Sequence, residues 1–249
     1  SRQRIALSGT PLENHTGELW NIFDILNPGL LGNRSSFQKS FALPIERGDK
    51  IALKKLKSRI KPFLLRRLRS QVLDDLPESQ ELTISIDLTD EERNLYDAHR
   101  FNAIKSLKKF IKKTNGPKRK IEILAEISRL RVAAANPQIA DPHMDLSSKS
   151  SALLNKVINL VENDHKTLIF SQFVKHLDII QNLFERSGIS FSRLDGSMNQ
   201  KKRQKAIEEF SGGASSCMLI SLKAGGVGLN LTEADHVIHM DPWWNPAVE

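Results

Sequence analysis

Apolar residues in the first part of the chain recur at helical intervals. A helix is predicted to begin at Thr16, whose hydroxyl can cap the first turn, and to end before Pro28-Gly29. The apolar residues of its buried face are Leu19, Ile22, Phe23 and Leu26. A second helix is predicted over about 50–60, where basic residues surround a narrow apolar face. This part is therefore mainly helical.

Two segments of the same part have a strand-like pattern. Arg4-Ile5-Ala6-Leu7-Ser8 is a charged lead-in to an expected strand. Further on, Leu82, Ile84, Ile86 and Leu88 alternate with polar residues, which predicts a strand with one buried face. Thr89-Asp90-Glu91-Glu92 then has the spacing of a capping box. It predicts a helix up to the break at Asn115-Gly116-Pro117, and a partner helix follows over about 119–134.

From about residue 150 onward, apolar strands alternate with amphipathic helices. The strands are predicted at 167–171, 189–194, 217–222 and 236–241. Strands that alternate with helices in this way predict a parallel α/β sheet. Ligands of such sheets bind beyond the carboxyl ends of the strands. The candidate loops are therefore 171–173, 195–197, 222–230 and 241–245.

Three glycine-containing loops that follow predicted strands are candidates for function. Residues 223–230 include three glycines that follow a strand, and such a loop lets backbone N–H groups approach phosphate. Asp195-Gly196-Ser197 offers a hydroxyl and a free amide, and residues 8–14 resemble it in composition. Plain turns explain all three loops as well. The Gly-x-x-x-x-Gly-Lys-Ser/Thr spacing of a Walker A loop is absent from the sequence.

Composition narrows the class of partner. The net charge of +8 and pI of about 9.6 favour a polyanionic partner, although basic helix faces are often merely solvated.

The single Cys217 excludes an internal disulfide and is expected to pack as a small apolar residue. No apolar run reaches the length of a membrane span, so an intracellular location is expected. His236 and His239 point to opposite faces of a predicted strand, so no metal site is assigned to them.

Six short sequence blocks follow one another along the chain, and their combination is more specific than any one of them alone. They are Ser8 to Asn14, Glu18-Leu19-Trp20 with Asn27-Pro28-Gly29, Pro62-Phe63-Leu64-Leu65-Arg66-Arg67, Leu168 to Phe173, Leu194-Asp195-Gly196-Ser197, and Ala224 to Leu231 followed by Asp241-Pro242-Trp243-Trp244-Asn245-Pro246. Together they resemble the SWI/SNF-type ATPases. The resemblance covers almost the whole chain and is weakest from about 95 to 125.

The resemblance implies an α/β fold with two RecA-like lobes of the superfamily-two helicases, which hydrolyse ATP and translocate along double-stranded DNA. Residues 1–75 then correspond to the end of lobe one with a helical protrusion and linker, and residues 76–149 to a helical insertion of lobe two. Residues 150–249 correspond to a truncated RecA-like P-loop NTPase lobe two, a parallel sheet with helices on both faces.

The resemblance also implies roles for single residues. Ser8, Gly9 and Thr10 couple ATP to DNA, and Gly226, Gly228 and Asn230 lie near the nucleotide. The residues expected to contact DNA are Ser171, Gln172, Gly196, Ser197, Ser221, Lys223 and Gly225. No catalytic residue and no metal ligand is assigned. The family's Walker A loop, acidic Mg²⁺ motif and arginine fingers are expected before Ser1 and after Glu249, so the chain reads as an inactive piece of an ATPase.

The predicted function is that of part of an ATP-dependent double-stranded DNA translocase or remodeller. ATP and Mg²⁺ are the expected cofactors, held mainly by the missing part of lobe one. Double-stranded DNA and nucleoprotein complexes are the expected partners of a monomeric motor, in a bacterial cytoplasm or nucleoid or in a eukaryotic nucleus. A catalytically incomplete nucleic-acid-binding or protein-interaction module remains open. A strand-separating RNA helicase is disfavoured by Trp243-Trp244 and by the long helical sequence between the lobes.

Overall fold

The structure, a computed structural model, describes residues 3–8, 11–12, 14–67, 80–113, 117–225 and 229–243. The chain forms two compact units, which divide between Leu82 and Thr83. The predicted divisions after residues 75 and 149 stay predictions. None of the helices in the described ranges has the length and apolar character needed to cross a membrane.

The first unit is helical. Its elements are α1 (Thr16–Leu26), α2 (Arg34–Phe37), a π-helical turn (Gln38–Ala42), α3 (Leu43–Glu46), α4 (Lys50–Ile60) and a 3₁₀ turn (Lys61–Phe63). Its buried apolar cluster consists of Leu19, Phe23, Leu31, Phe37, Phe41 and Leu56. Asp49 caps α4 by accepting hydrogen bonds from the backbone N–H groups of Ile51 and Ala52. The two helices predicted here are confirmed.

Three local predictions for residues 4–88 are wrong. Thr16 is the first residue inside α1 rather than its cap, and its buried hydroxyl has no hydrogen-bond partner in the described structure. Residues 4–8 and 82–88 form no strand, and Leu7 and Leu82 are 94% and 79% exposed. Alternation alone does not make a strand, because a strand also needs a neighbouring strand to satisfy its backbone and cover its apolar face.

The second unit begins with a helical block. It consists of α5 (Asp90–Lys113), α6 (Pro117–Ala135), α7 (Pro137–Ala140) and α8 (Ser148–Glu162). The capping box is confirmed, because Glu92 accepts from the N–H of Thr89 at 2.8 Å and donates its own N–H to the Thr89 hydroxyl at 3.3 Å. The same buried carboxylate accepts from the N–H of Ser148 at 2.9 Å and from the Ser148 hydroxyl. Glu92 therefore caps α5 and α8 together.

A four-stranded parallel sheet forms the rest of the second unit. Its elements are β1 (Thr167–Ser171), α9 (Val174–Ser187), β2 (Phe191–Leu194), α10 (Gln200–Ser211), β3 (Cys217–Ser221), α11 (Leu222–Gly225) and β4 (His236–His239). The strand order is β2-β3-β1-β4, and every pair is parallel. Thr167 of β1 lies opposite Cys217 on one side and His236 on the other.

Helices cover both faces of this sheet. On one face α8 and α9 pack against alternate strand residues, including Ile169, Cys217 and Leu219. On the other face Phe210 of α10 and Ala224 of α11 pack against the intervening residues, including Met218 and Ile220. The predicted fold class is confirmed. Cys217 is fully buried, as expected, and burial raises the pKa of its thiol to about 12.

Candidate nucleic-acid interface

The carboxyl ends of the four strands lie at one edge of the sheet because all the strands are parallel. We call the residues that follow them the carboxyl edge. It consists of Ser171, the last residue of β1, with Gln172 after it, residues 195–197 after β2, residues 222–225 after β3 and residues 240–243 after β4. The structure thus brings together four of the loops that the sequence singled out.

A buried carboxylate joins the loops that follow β1 and β4. Asp241 accepts from the Ser171 hydroxyl at 2.7 Å and from the N–H of Gln172 at 2.8 Å, and Nδ1 of His176 lies 3.4 Å away. Asp241 is only 3% exposed. Burial raises the pKa of this carboxyl, but the hydrogen bonds from His176, Gln172 and Ser171 outweigh burial and hold it below its ordinary value. Asp241 therefore stays ionised and fixes the backbone of Gln172.

An arginine from the helical block reaches the same two loops. Arg131 of α6 donates to the side-chain carbonyl of Gln172 at 2.6 Å and to the carbonyl of Pro242 at 3.4 Å. Its guanidinium also lies 5.5 Å from the centre of the Trp243 ring, so this ring packs within the chain. Sequence reasoning missed Arg131, because no feature of its helix distinguishes it from the other exposed basic residues.

The loop after β2 is held by an ion pair. Arg193 donates to Asp195 at 2.8 Å, and its other nitrogens contact Gln181 at 2.8 Å and Asp178 at 2.7 Å. The second carboxylate oxygen of Asp195 accepts from the N–H and the hydroxyl of Ser197 at 2.9 and 2.6 Å. Burial raises the pKa of Asp195, but the bonds from Ser197 and Arg193 outweigh it and lower the pKa. The loop is therefore preorganised.

Gly196, at the tip of this loop, has no internal reason to be glycine. Every other described glycine either has a positive φ or would place a Cβ within 3.4 Å of a neighbouring atom. A Cβ on Gly196 would meet no atom of the described residues within 4 Å, and the φ of Gly196 is not positive. The residue is exposed. A glycine with these properties suits the close approach of another molecule to its backbone.

Gly225, in contrast, is explained by packing. A Cβ there would lie 2.8 Å from Cε1 of Phe170 and 3.3 Å from Cγ2 of Ile220. Arg203 of α10 supports the same short helix by donating to the carbonyl of Ala224 at 2.8 Å. The predicted DNA contact by Gly225 therefore has an alternative, structural explanation that the sequence did not reveal.

Family comparison agrees with this architecture. Residues 1–139 match the SNF2-related domain, and residues 149–249 match the Helicase conserved C-terminal domain. The chain belongs to the SNF2-related family of SWI/SNF-type ATPases. Its predicted resemblance to that family is confirmed.

Two relatives and one solved structure illustrate the similarity. The putative ATP-dependent helicase/translocase YwqA of Bacillus subtilis is 37% identical over 98% of this chain and 27% of that protein. The SWI/SNF-related matrix-associated actin-dependent regulator of chromatin subfamily A member 1 of Homo sapiens is 33% identical over 100% of this chain and 25% of that protein. The Sulfolobus solfataricus SWI2/SNF2 ATPase core in complex with dsDNA is 35% identical, with a TM-score of 0.60, over 98% of this chain and 52% of that chain. The SNF2-related chain thus spans about a quarter of the length of the curated relatives.

The structure of the SNF2-related chain divides the predicted DNA contacts by exposure. Gly196, Ser197 and Lys223 are exposed, and Gln172 is half-buried. Ser171 and Ser221 are buried, at 0% and 4% exposure, so in this conformation their hydroxyls have no surface to offer DNA. The predicted DNA contacts of Ser171 and Ser221 stay predictions, and in this structure the Ser171 hydroxyl donates to Asp241.

The described residues do not form a complete site for ATP and Mg²⁺. Of the residues predicted near the nucleotide, Asn230 is described and exposed, while Gly226 and Gly228 lie outside the described residues. The sequence has no Walker A loop to cradle a triphosphate. No hydrolytic step is therefore assigned to the SNF2-related chain. Of the coupling residues, Ser8 is described and exposed, and Gly9 and Thr10 lie outside the described residues.

Proposed function

We propose that the chain is the part of an ATP-dependent double-stranded DNA translocase that grips the DNA backbone with its carboxyl edge. The observation that carries the proposal is the exposed Gly196, which no contact among the described residues explains, on a loop that Arg193 and Asp195 hold in place. A preorganised amide loses little entropy when it binds a phosphate oxygen. The archaeal relative, a SWI2/SNF2 ATPase core solved with dsDNA, supports the same type of ligand.

The chemistry of the carboxyl edge suits phosphate rather than base recognition. Gly196 offers a backbone N–H, and the neighbouring Ser197 offers a hydroxyl. Two exposed lysines at the start of α10, Lys201 and Lys202, closely follow this loop in sequence, and the exposed Lys223 of α11 follows β3, the strand beside β2. Amides, hydroxyls and ammonium groups bind the DNA backbone without reading its sequence. Sequence-independent binding is what a motor that moves along DNA requires.

The remaining features of the whole protein belong to the same proposal. We place the end of lobe one with a helical protrusion and linker in residues 1–75, a helical insertion of lobe two in residues 76–149 and lobe two in residues 150–249. Ser8, Gly9 and Thr10 would couple ATP hydrolysis to DNA translocation. ATP and Mg²⁺ would be held mainly by lobe one, with Gly226, Gly228 and Asn230 contributing from lobe two. The proposal further includes nucleoprotein complexes as targets, a monomeric motor and an intracellular location. Bacterial and chromatin-associated relatives support the intracellular location.

A pair of glycine substitutions tests the proposed surface. Gly196→Ala should leave the free energy of unfolding within about 0.5 kcal/mol of the wild type, since its Cβ meets no atom of the part of the chain that the structure describes. The added methyl group should keep a phosphate oxygen from approaching the backbone N–H. Duplex DNA binding should therefore weaken about tenfold, because a charge-assisted hydrogen bond to phosphate contributes roughly 1.5–3 kcal/mol. Gly225→Ala should instead cost about 1–3 kcal/mol of stability through overpacking against Phe170.

The measurements are fluorescence anisotropy with a labelled duplex and urea denaturation. The matched control is Ser187→Ala, an exposed change at the end of α9, near the opposite edge of the sheet. Its affinity should equal that of the wild type. Wild-type affinity should fall with salt, each phosphate contact adding about 0.9 to the logarithmic slope. Equal DNA affinity of Gly196→Ala and Ser187→Ala would refute the assignment of this surface.

A further inference from the structure

A compact group of metal-binding side chains lies at the other edge of the sheet. We call His165, Asp235 and His236 the amino-edge cluster. His165 precedes β1, Asp235 immediately precedes β4, and His236 is the first residue of β4. Nδ1 of His165 lies 2.5 Å from one carboxylate oxygen of Asp235, and Nδ1 of His236 lies 2.9 Å from the other. One potential ligand atom from each of the three residues lies within 4.8 Å of the other two.

The backbone holds all three residues in place. The N–H of His165 donates to the carbonyl of Leu160 at 2.9 Å, at the turn that ends α8. The N–H groups of Asp235 and His236 both donate to the carbonyl of Lys166 at 3.2 Å. The parallel register then fixes His236 beside Thr167. Ligands that are held by their own backbone lose little entropy when they bind an ion.

The chemistry of the cluster favours a particular class of ion. Two imidazole nitrogens and one carboxylate are ligands typical of Zn²⁺, Co²⁺ and Ni²⁺, whereas Mg²⁺ prefers oxygen ligands. The three side chains are partly exposed, with side-chain exposures of 40%, 50% and 37%, so water can complete the coordination. Burial raises the pKa of Asp235, but hydrogen bonds from the two histidines outweigh it and keep the carboxylate ionised.

We propose that the amino-edge cluster binds one divalent transition-metal ion of the zinc class, with His165, Asp235 and His236 as its three protein ligands. The ion replaces the protons that now lie between the imidazoles and the carboxylate, and water fills its remaining positions. It ties the segment before β1 to the first residues of β4 and thereby stabilises the sheet. The carboxyl edge lies at the opposite ends of the strands, so this inference does not depend on the proposed function.

Titration of the tag-free 249-residue chain with Zn²⁺ by calorimetry tests the proposal. We expect one ion per chain and at least a tenfold loss of affinity in His236→Ala and in Asp235→Asn. His143→Ala, which removes an exposed histidine from a loop outside the cluster, is the matched control and should bind as the wild type does. Mg²⁺ should not saturate the site.

Two further readouts keep the test decisive if one variant folds poorly. Co²⁺ should give visible d–d absorption with the wild type and His143→Ala, and lose it with His165→Ala as well as with His236→Ala. Zn²⁺ should raise the melting temperature of the wild type but not that of the cluster variants. Equal Zn²⁺ affinity in the wild type, His165→Ala and His236→Ala would overturn the proposal. So would the absence of saturable Zn²⁺ binding to the wild type.

Discussion

Replacement of Asp241 by asparagine is the most informative change at the carboxyl edge. The substitution preserves the shape of the side chain, but it removes the negative charge and exchanges one accepting oxygen for an NH₂ donor. The N–H of Gln172 cannot turn away, so the remaining oxygen is expected to face it. The NH₂ group then faces the Ser171 hydroxyl, which already accepts from the N–H of Phe173 at 3.1 Å and whose own proton can turn only to the carbonyl of Phe173, 3.4 Å away. The 2.7 Å bond between Ser171 and Asp241 is lost.

The loss of stability in Asp241→Asn can be estimated from these hydrogen bonds. A hydrogen bond to a charged group contributes roughly 1.5–3 kcal/mol, against about 0.5–1.5 kcal/mol for a neutral one. Asp241→Asn loses one such bond and weakens a second, so the free energy of unfolding should fall by about 2.5–4.5 kcal/mol. For a unit of this size each kcal/mol corresponds to about 2–4 °C, so the melting temperature should fall by about 5–18 °C.

The assay is urea and thermal denaturation of the wild type, Asp241→Asn and the control Asp145→Asn, whose carboxylate is exposed. The difference between wild type and Asp241→Asn should be constant near neutral pH. Because the folded-state pKa of Asp241 lies below its ordinary value of 3.8, its contribution is present above that pH. It is lost as the pH falls further, through the folded-state pKa, so the two stability curves should converge there.

Two results would refute this reasoning. The first is a loss of less than about 0.5 kcal/mol, the range of ordinary surface changes such as Asp145→Asn. The second is a difference that stays constant down to the lowest pH at which the protein folds. Either would show that Asp241 does not hold the loops after β1 and β4 together as an ionised acceptor.

The remaining predictions concern Glu92, which caps two helices, and the inability of the 249-residue chain to hydrolyse ATP. Glu92→Gln should lower the free energy of unfolding by about 1–2 kcal/mol near neutral pH, measured by urea denaturation, because Glu92 caps α5 and α8. Burial raises the pKa of Glu92, but bonds from Ser148 and Thr89 outweigh it and lower the pKa, so this deficit should shrink as the pH falls below 4.5. The 249-residue chain should release no phosphate from ATP above background, with or without duplex DNA, since its sequence has no Walker A loop. Turnover of order 1 s⁻¹ would contradict the two-lobe division.

The sequence determined the elements whose signals are local. The alternation of apolar strands with amphipathic helices predicted every strand of the described sheet to within a few residues, and the signal is strongest in the central strands β1 and β3, which helices bury on both faces. The capping box at Thr89 could also be predicted from the sequence, because both of its hydrogen bonds join residues only three positions apart. Parallel topology then placed the candidate loops at one edge without any knowledge of side-chain contacts.

Tertiary structure decided which residues of those loops are exposed. Ser171 and Asp241 are 70 residues apart, and only the pairing of β1 with β4 brings the carboxylate to the hydroxyl. Gly196 and Gly225 look alike in sequence, but the neighbouring Phe170 ring explains only the second.

The same limit applies to the histidines. Spacing along β4 correctly separates His236 from His239, which lie on opposite faces of the strand. It says nothing of His165, which the register of β1 against β4 places beside His236, with ring centres 4.5 Å apart. Contacts between distant segments depend on strand pairing and packing, and a local pattern carries no information about either.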